Sequence, residues 1–251
     1  FDKFFHGNPA CVIPLTTWLS DDVLLKVAQK NNVAETAFFI NNGNSVNLRW
    51  FTPDLEMDLC GHATLATACV LKSILNYPLD IIRFNTLSGE LMVDFKDGFY
   101  YLNFPSRPPQ SRLLPKLISN SLNIQPKEVF KSNRDYMLIY SNEQEIKDIQ
   151  INREIFDKID LGCGGVIVTS QGDSVDFVSR FFTPKATILE DPVTGSAHCT
   201  LIPFWSSKLS KPRLEALQLS RRGGRLICHN LLGRVLIGGT GRVFSTEELV
   251  L

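Results

Sequence analysis

The sequence predicts an α+β protein built from two similar halves, and three observations carry that prediction. RWFTP (49–53) and RFFTP (180–184) place Thr52 and Thr183 131 positions apart, about half of the 251 residues. Each pentapeptide leads into a loop holding an Asp and then a Gly that opens a small-residue segment: DLEMDLCGHATL (54–65) and KATILEDPVTGSAHCTL (185–201). TLSGELMV (86–93) and QLSRRGGRLI (218–227) then follow in the same order at nearly the same offset. Ordered self-similarity of this kind marks a duplicated unit. Helices mixed with hairpins, rather than alternating with single strands, give the α+β class. The halves are expected at 1–106 and 107–251, divided at PSRPP (105–109), with the last strand free to pack on the first half.

The elements can be taken in order. Ser20 is placed as an N-cap, with Asp21 and Asp22 in a first helical turn that favours negative charge. Leu24, Val27 and Ala28 form the apolar stripe of a helix ending near Asn31. Strands at 35–40 and 46–51 flank Asn41-Asn42-Gly43-Asn44, a hairpin signal. A helix follows over about 62–75, rich in Ala, and then strands at 81–86, 89–95 and 99–104. The second half repeats the order. It shows helical patterns near 113–121 and 142–159, strands at 165–170 and 175–182, and a helix from Gly195. Pro203 inside that helix implies that it is short or kinked. Strands at 216–220, 225–229 and 234–238 close the chain.

Lys plus Arg equals Asp plus Glu at 26 each, so the formal net charge is zero. This removes the electrostatic argument for nucleic acid or an anionic membrane surface as partner. No apolar run approaches the ~20 residues that span a bilayer, and no signal peptide is visible. The six Cys (11, 60, 69, 163, 199, 228) form no CxxC pair, as expected of reduced thiols, so the chain reads as cytoplasmic.

Gly61-His62 and Gly195-Ser196 each open a helix. A helix N-terminus offers unpaired N–H groups and partial positive charge, which suits a carboxylate or a developing enolate. The alternative is that both glycines only shape turns. Glu35, among Val33, Ala34, Ala37, Phe38 and Phe39, is either an outward strand residue or a desolvated acid–base carboxyl. Asp191, in EDPVTGSAH, is either a catalytic group or an Asx-turn residue. Ser196 lacks the GxSxG elbow of a hydrolase nucleophile. His62 is a candidate proton shuttle. Cys60, next to a helix N-terminus, is expected to have a lowered pKa, but Thr194 occupies the matching place in the second half. The His (6, 62, 198, 229) and Cys show no contiguous metal-ligand spacing, so no metal is expected. Arg221-Arg222-Gly223-Gly224 is either an anion contact or a solvated turn.

GNPACV (7–12), ETAFF (35–39), RWFTP, CGHATLA (60–66), TLSGEL (86–91), EDPVTGSAH (190–198) and SRRGG (220–224) together resemble the PhzF family of phenazine-biosynthesis-like isomerases. The resemblance implies the diaminopimelate-epimerase-like fold: two pseudo-symmetric domains, each a curved, mostly antiparallel sheet around a central helix, with an active cleft between them. It further implies proton-transfer isomerisation of a small anionic metabolite, no cofactor or metal, and a homodimer. Glu35 matches the family's acid–base glutamate. His62, Asp191 and Ser196 match its other active-site polar residues and are expected to be catalytic with Glu35; Gly61 and Gly195 match the glycines opening its two helices, and with the neighbouring Cys60 and Thr194 they are the expected substrate-binding residues. Related epimerases use two cysteines, whereas only Cys60 stands at such a place here. Family chains also begin with a strand ahead of the segment matching Phe1–Asn8, which this sequence does not show.

Overall fold

In the computed structural model, residues 6–249 are described. They divide into two compact units, Pro9–Leu102 with Gly238–Leu251, and Asn103–Ile237 with Phe1–Asn8, as far as each is described.

The N-terminal unit runs β1 (Ala10–Pro14), α1 (Asp21–Asn31), β2 (Glu35–Asn41), β3 (Val46–Phe51), β4 (Glu56–Met57), α2 (Gly61–Ser73), β5 (Ile81–Thr86), β6 (Gly89–Lys96) and β7 (Phe99–Pro105), the last ending past the unit boundary. Its sheet order is β1-β2-β3-β5-β6-β7, with β4 on β3. The pairs β1–β2 and β3–β5 are parallel, and β2–β3, β5–β6 and β6–β7 antiparallel. Leu24, Val27 and Ala28 of α1 bury against Phe38 and Phe51. Helix α2 is buried along Ala63, Thr64, Thr67, Ala68 and Leu71. Small side chains let a helix seat closely on a sheet, which accounts for the Ala-rich segment.

The C-terminal unit contains β8 (Gln110–Ser111), α3 (Lys116–Ser121), β9 (Glu128–Lys131), β10 (Tyr136–Ile139), α4 (Glu143–Asp148), α5 (Arg153–Phe156), β11 (Val166–Gln171), β12 (Phe177–Phe182), α6 (Gly195–Leu209), β13 (Arg213–Gln218), β14 (Gly224–Leu231) and β15 (Arg234–Gly239). Its order is β15-β14-β13-β12-β11-β10-β9-β8. Here β10–β11 and β12–β13 are parallel, and β11–β12 and β13–β14 antiparallel. The alternation parallel, antiparallel, parallel, antiparallel thus occurs in both units. It maps β1, β2, β3, β5 and β6 onto β10 to β14, and α2 onto α6. No helix among the described residues is long and apolar enough to cross a membrane.

Three expectations change. The 142–159 pattern is not one helix. It breaks into α4 and α5, because Ile149–Asn152 turns extended and Ile151 forms a β-bridge with Leu122. Ser20 is the N-cap of α1 as expected, with extended backbone, but it makes no side-chain cap bond. Helix α6 also continues through Pro203. Proline at 203 removes the bond to the Cys199 carbonyl, and the Arg107 backbone N–H donates to that carbonyl instead at 2.8 Å.

Candidate active site

Each unit prepares the start of its buried helix with the same three devices. In the N-terminal unit Arg49 of β3 grips Glu56 through two bonds of 2.7 Å. In the C-terminal unit Arg180 of β12 grips Glu190 at 2.7 and 3.0 Å. Each guanidinium also lies over the Phe two residues on, Phe51 at 5.1 Å and Phe182 at 4.9 Å. The second device is a serine. Ser88 Oγ donates to the Asp58 carbonyl at 2.6 Å, and Ser220 Oγ to the Pro192 carbonyl at 2.8 Å, each three residues before the helix glycine. The third is a donor at the fourth helical residue that ties back to the N-cap carbonyl. Thr64 Oγ1 reaches Cys60 O at 2.5 Å, and His198 Nδ1 reaches Thr194 O at 2.7 Å. The repeated RxFTP and Leu-Ser positions are therefore structural. They fix where Gly61 and Gly195 begin their helices.

At α2 the N-cap Cys60 makes no side-chain cap bond. Its Sγ faces His62 Nδ1 at 3.6 Å. The other ring nitrogen, Nε2, stands 3.1 Å from Glu35 Oε2, with 12% and 15% of the two side chains exposed. Glu35 reaches this point because it opens β2, paired in parallel with Ala10 of β1. Burial disfavours a charged ring at His62, but the adjoining Cys60 and Glu35 outweigh it and hold its pKa well above the ordinary value. Burial, aided by the Glu35 carboxylate, raises the Cys60 thiol. This corrects the expected lowering: the thiol is sealed from solvent, and desolvation exceeds what the helix terminus and His62 return. Cys60 and Glu35 are thus the two neighbours that favour the charged ring of His62.

At α6 the N-cap Thr194 also makes no side-chain cap bond. Its hydroxyl donates to Asp191 Oδ2 at 2.6 Å, and Asn8 Nδ2 donates to Asp191 Oδ1 at 2.6 Å. The Gln218 amide, which is buried, accepts from Thr194 N at 2.8 Å and donates to Asp191 O at 2.7 Å and to Thr194 Oγ1 at 3.1 Å. Asp191 thus accepts at both carboxylate oxygens, from Thr194 and from Asn8. Ser196, the second residue of α6, is half-buried, as is Gly195. Gly224 is required beside this loop, since a Cβ there would meet Val193 Cγ2 at 2.5 Å. Arg222 donates to Gly7 O at 2.7 Å, so it steadies the segment carrying Asn8.

The structure therefore groups Glu35, Cys60 and His62 in one unit and Asp191 and Thr194 in the other. Sequence reasoning missed Asn8 and Gln218. Both lie within or beside quoted motifs, but no spacing rule links Gln218 to a loop 24 residues earlier. It also missed that Glu35, Cys60 and His62 each bring a metal-ligating atom within 4.8 Å of the others. The expectation of no metal rested on contiguous spacing, which this grouping does not use. His198 and Cys199 belong to the interior. Burial lowers His198 to about 4 and pushes Cys199 up to about 11.

A family profile described as phenazine biosynthesis-like protein, PhzC-PhzF, matches residues 1–246. A Pseudomonas aeruginosa protein named as an uncharacterized isomerase is 42% identical over 249 residues, covering 99% of this chain and 95% of the relative. The crystal structure of a PhzF-family phenazine biosynthesis protein from Enterococcus faecalis superposes with a TM-score of 0.94 at 43% identity, covering 100% of this chain and 96% of that one. A probable proline racemase from Agrobacterium radiobacter, 8% identical, covers 96% of this chain and 89% of its own at a TM-score of 0.62 and shares the fold alone.

Proposed function

The chain belongs to the phenazine biosynthesis-like protein family, and on that premise we propose that it is a cofactor-independent isomerase moving a proton to or from carbon on a small carboxylate-bearing metabolite. The observation that carries this reading is the 3.1 Å contact between Glu35 Oε2 and His62 Nε2 at the uncapped start of α2. A carboxylate beside a protonated imidazole can take a proton from carbon and return it to another carbon or to solvent. The relative named as an isomerase supports the reaction class.

In this reading Glu35 is the acid–base group and His62 its proton partner. The N–H groups at Gly61 and Gly195 receive the carboxylate or the developing enolate. Asp191 and Ser196 orient the substrate, and Cys60 and Thr194 complete its binding loops. Because burial raises the Cys60 thiol, Glu35 rather than a thiolate is the base. The same reading makes the protein a cytoplasmic homodimer without nucleic-acid or membrane partners.

The test is a metabolite screen in deuterated water, read by mass. A labelled carboxylate would name the substrate class and the exchanging carbon. Binding of carboxylates with no exchange into any of them would favour a non-catalytic binding protein.

A further inference from the structure

We propose that Cys60 and His62 form a binding site for a thiophilic divalent cation of the zinc type, oriented by Glu35, and that occupancy switches the proton site off. Zinc held tetrahedrally by a thiolate and an imidazole places the two ligand atoms about 3.5 Å apart. Cys60 Sγ and His62 Nδ1 stand 3.6 Å apart. When Nδ1 binds a metal, Nε2 must carry the ring proton, and a carboxylate at Nε2 is the usual device that fixes such a ring. Glu35 Oε2 occupies that place at 3.1 Å. The ligand set of soft sulfur and imidazole favours zinc or cadmium over magnesium or calcium.

Binding exchanges two protons for the metal: Cys60–SH and the Nδ1–H of the His62 imidazolium, with M²⁺, give a complex of net charge +1 with Nε2–H retained, and both protons go to buffer. No oxidant or reductant is needed. The bound metal occupies the Nδ1 lone pair, so His62 loses the second ring proton with which it partners Glu35. The binding claim stands independently of the isomerase reading; only the inhibition rests on it.

Cadmium serves as the spectroscopic probe, titrated into the purified protein and read by thiolate-to-metal absorption in the ultraviolet. The expected result is a saturable band in the wild type that is retained in Cys163→Ser, which alters an exposed thiol. The band is lost in Cys60→Ser. Its midpoint moves at least tenfold higher in His62→Gln and roughly ten- to a hundredfold higher in Glu35→Ala, with circular dichroism showing that each variant is folded. A band that never develops, that survives Cys60→Ser, or that is indifferent to His62→Gln overturns the proposal. If exchange activity has been found, zinc should abolish it and a chelator should restore it. Full turnover at zinc saturation contradicts the switch while leaving the isomerase reading intact.

Discussion

The first four residues of α2 and of α6 read Gly-His-Ala-Thr and Gly-Ser-Ala-His. The hydroxyl and the imidazole have exchanged places. At the fourth position Thr64 and His198 do the same work, each tying back to its N-cap carbonyl. At the second position they differ. His62 meets Glu35 and Cys60, which raise its pKa, whereas the C-terminal unit has Ser196 there, with Asn8 and Thr194 donating to Asp191. The two units thus carry equivalent helix starts, and the proposed function assigns the proton chemistry to one of them. A histidine is a titrating group or a packing group according to which of two positions, half a helical turn apart, it occupies.

The comparison can be broken at its functional position. His62→Ser makes the first helix start resemble the second, and exchange into substrate should fall roughly 10²- to 10⁴-fold, with the fold retained by circular dichroism. An unaltered rate would remove the functional distinction between the two starts.

The shared clamps sharpen it. Arg180 also donates to the Ile146 and Ile149 carbonyls, whereas Arg49 adds only Asp21, which is largely exposed. Arg180→Gln should cost about 3 kcal/mol by urea unfolding and Arg49→Gln about half that, because a partly buried carboxylate is stranded in both but carbonyls are stranded only in the first. Equal losses would mean that the extra bonds contribute nothing.

The two histidines should also respond to pH with opposite sign. His198 is lowered in the fold from 6.5 to about 4, so its contribution is complete above 6.5 and disappears as pH falls through 4. The loss should reach about 3 kcal/mol, and His198→Gln should flatten that acid limb. His62 is raised, so its contribution is complete below 6.5 and is lost as pH rises through its elevated folded value. Glu35→Gln should weaken that alkaline limb. Stability curves of these variants that track the wild type at every pH would refute the assignment. The smallest effect is expected at Thr64→Val, about 1 kcal/mol for one buried hydrogen bond, measured by thermal unfolding.

Much of this was legible from sequence because repetition is a long-range signal. RWFTP against RFFTP aligned the halves, and the strands at 35–40, 46–51 and 81–86 stand within a residue of β2, β3 and β5. Strand β1 was not legible, since Pro9 precedes it, Pro14 ends it, and its pattern is too short to outweigh them. β9 and β10 are four residues each, below the length at which alternation is decisive. In the site, the apolar neighbours of Glu35 announced a partly desolvated carboxyl, and the Gly-His pair announced a helix start. What joins them is strand register, with Glu35 opposite Ala10 and 27 positions before His62. No local pattern encodes that. The same limit hid Gln218, whose role appears only once β13 lies beside the Asp191 loop.

The central claim is that Glu35 moves the proton, and it is tested most directly by Glu35→Gln in deuterated water with the substrate that the wild type labels. The account predicts exchange reduced by roughly 10²-fold or more, while ligand binding and the unfolding midpoint at neutral pH stay close to wild type. Deuterium incorporation at the wild-type rate in Glu35→Gln would contradict it.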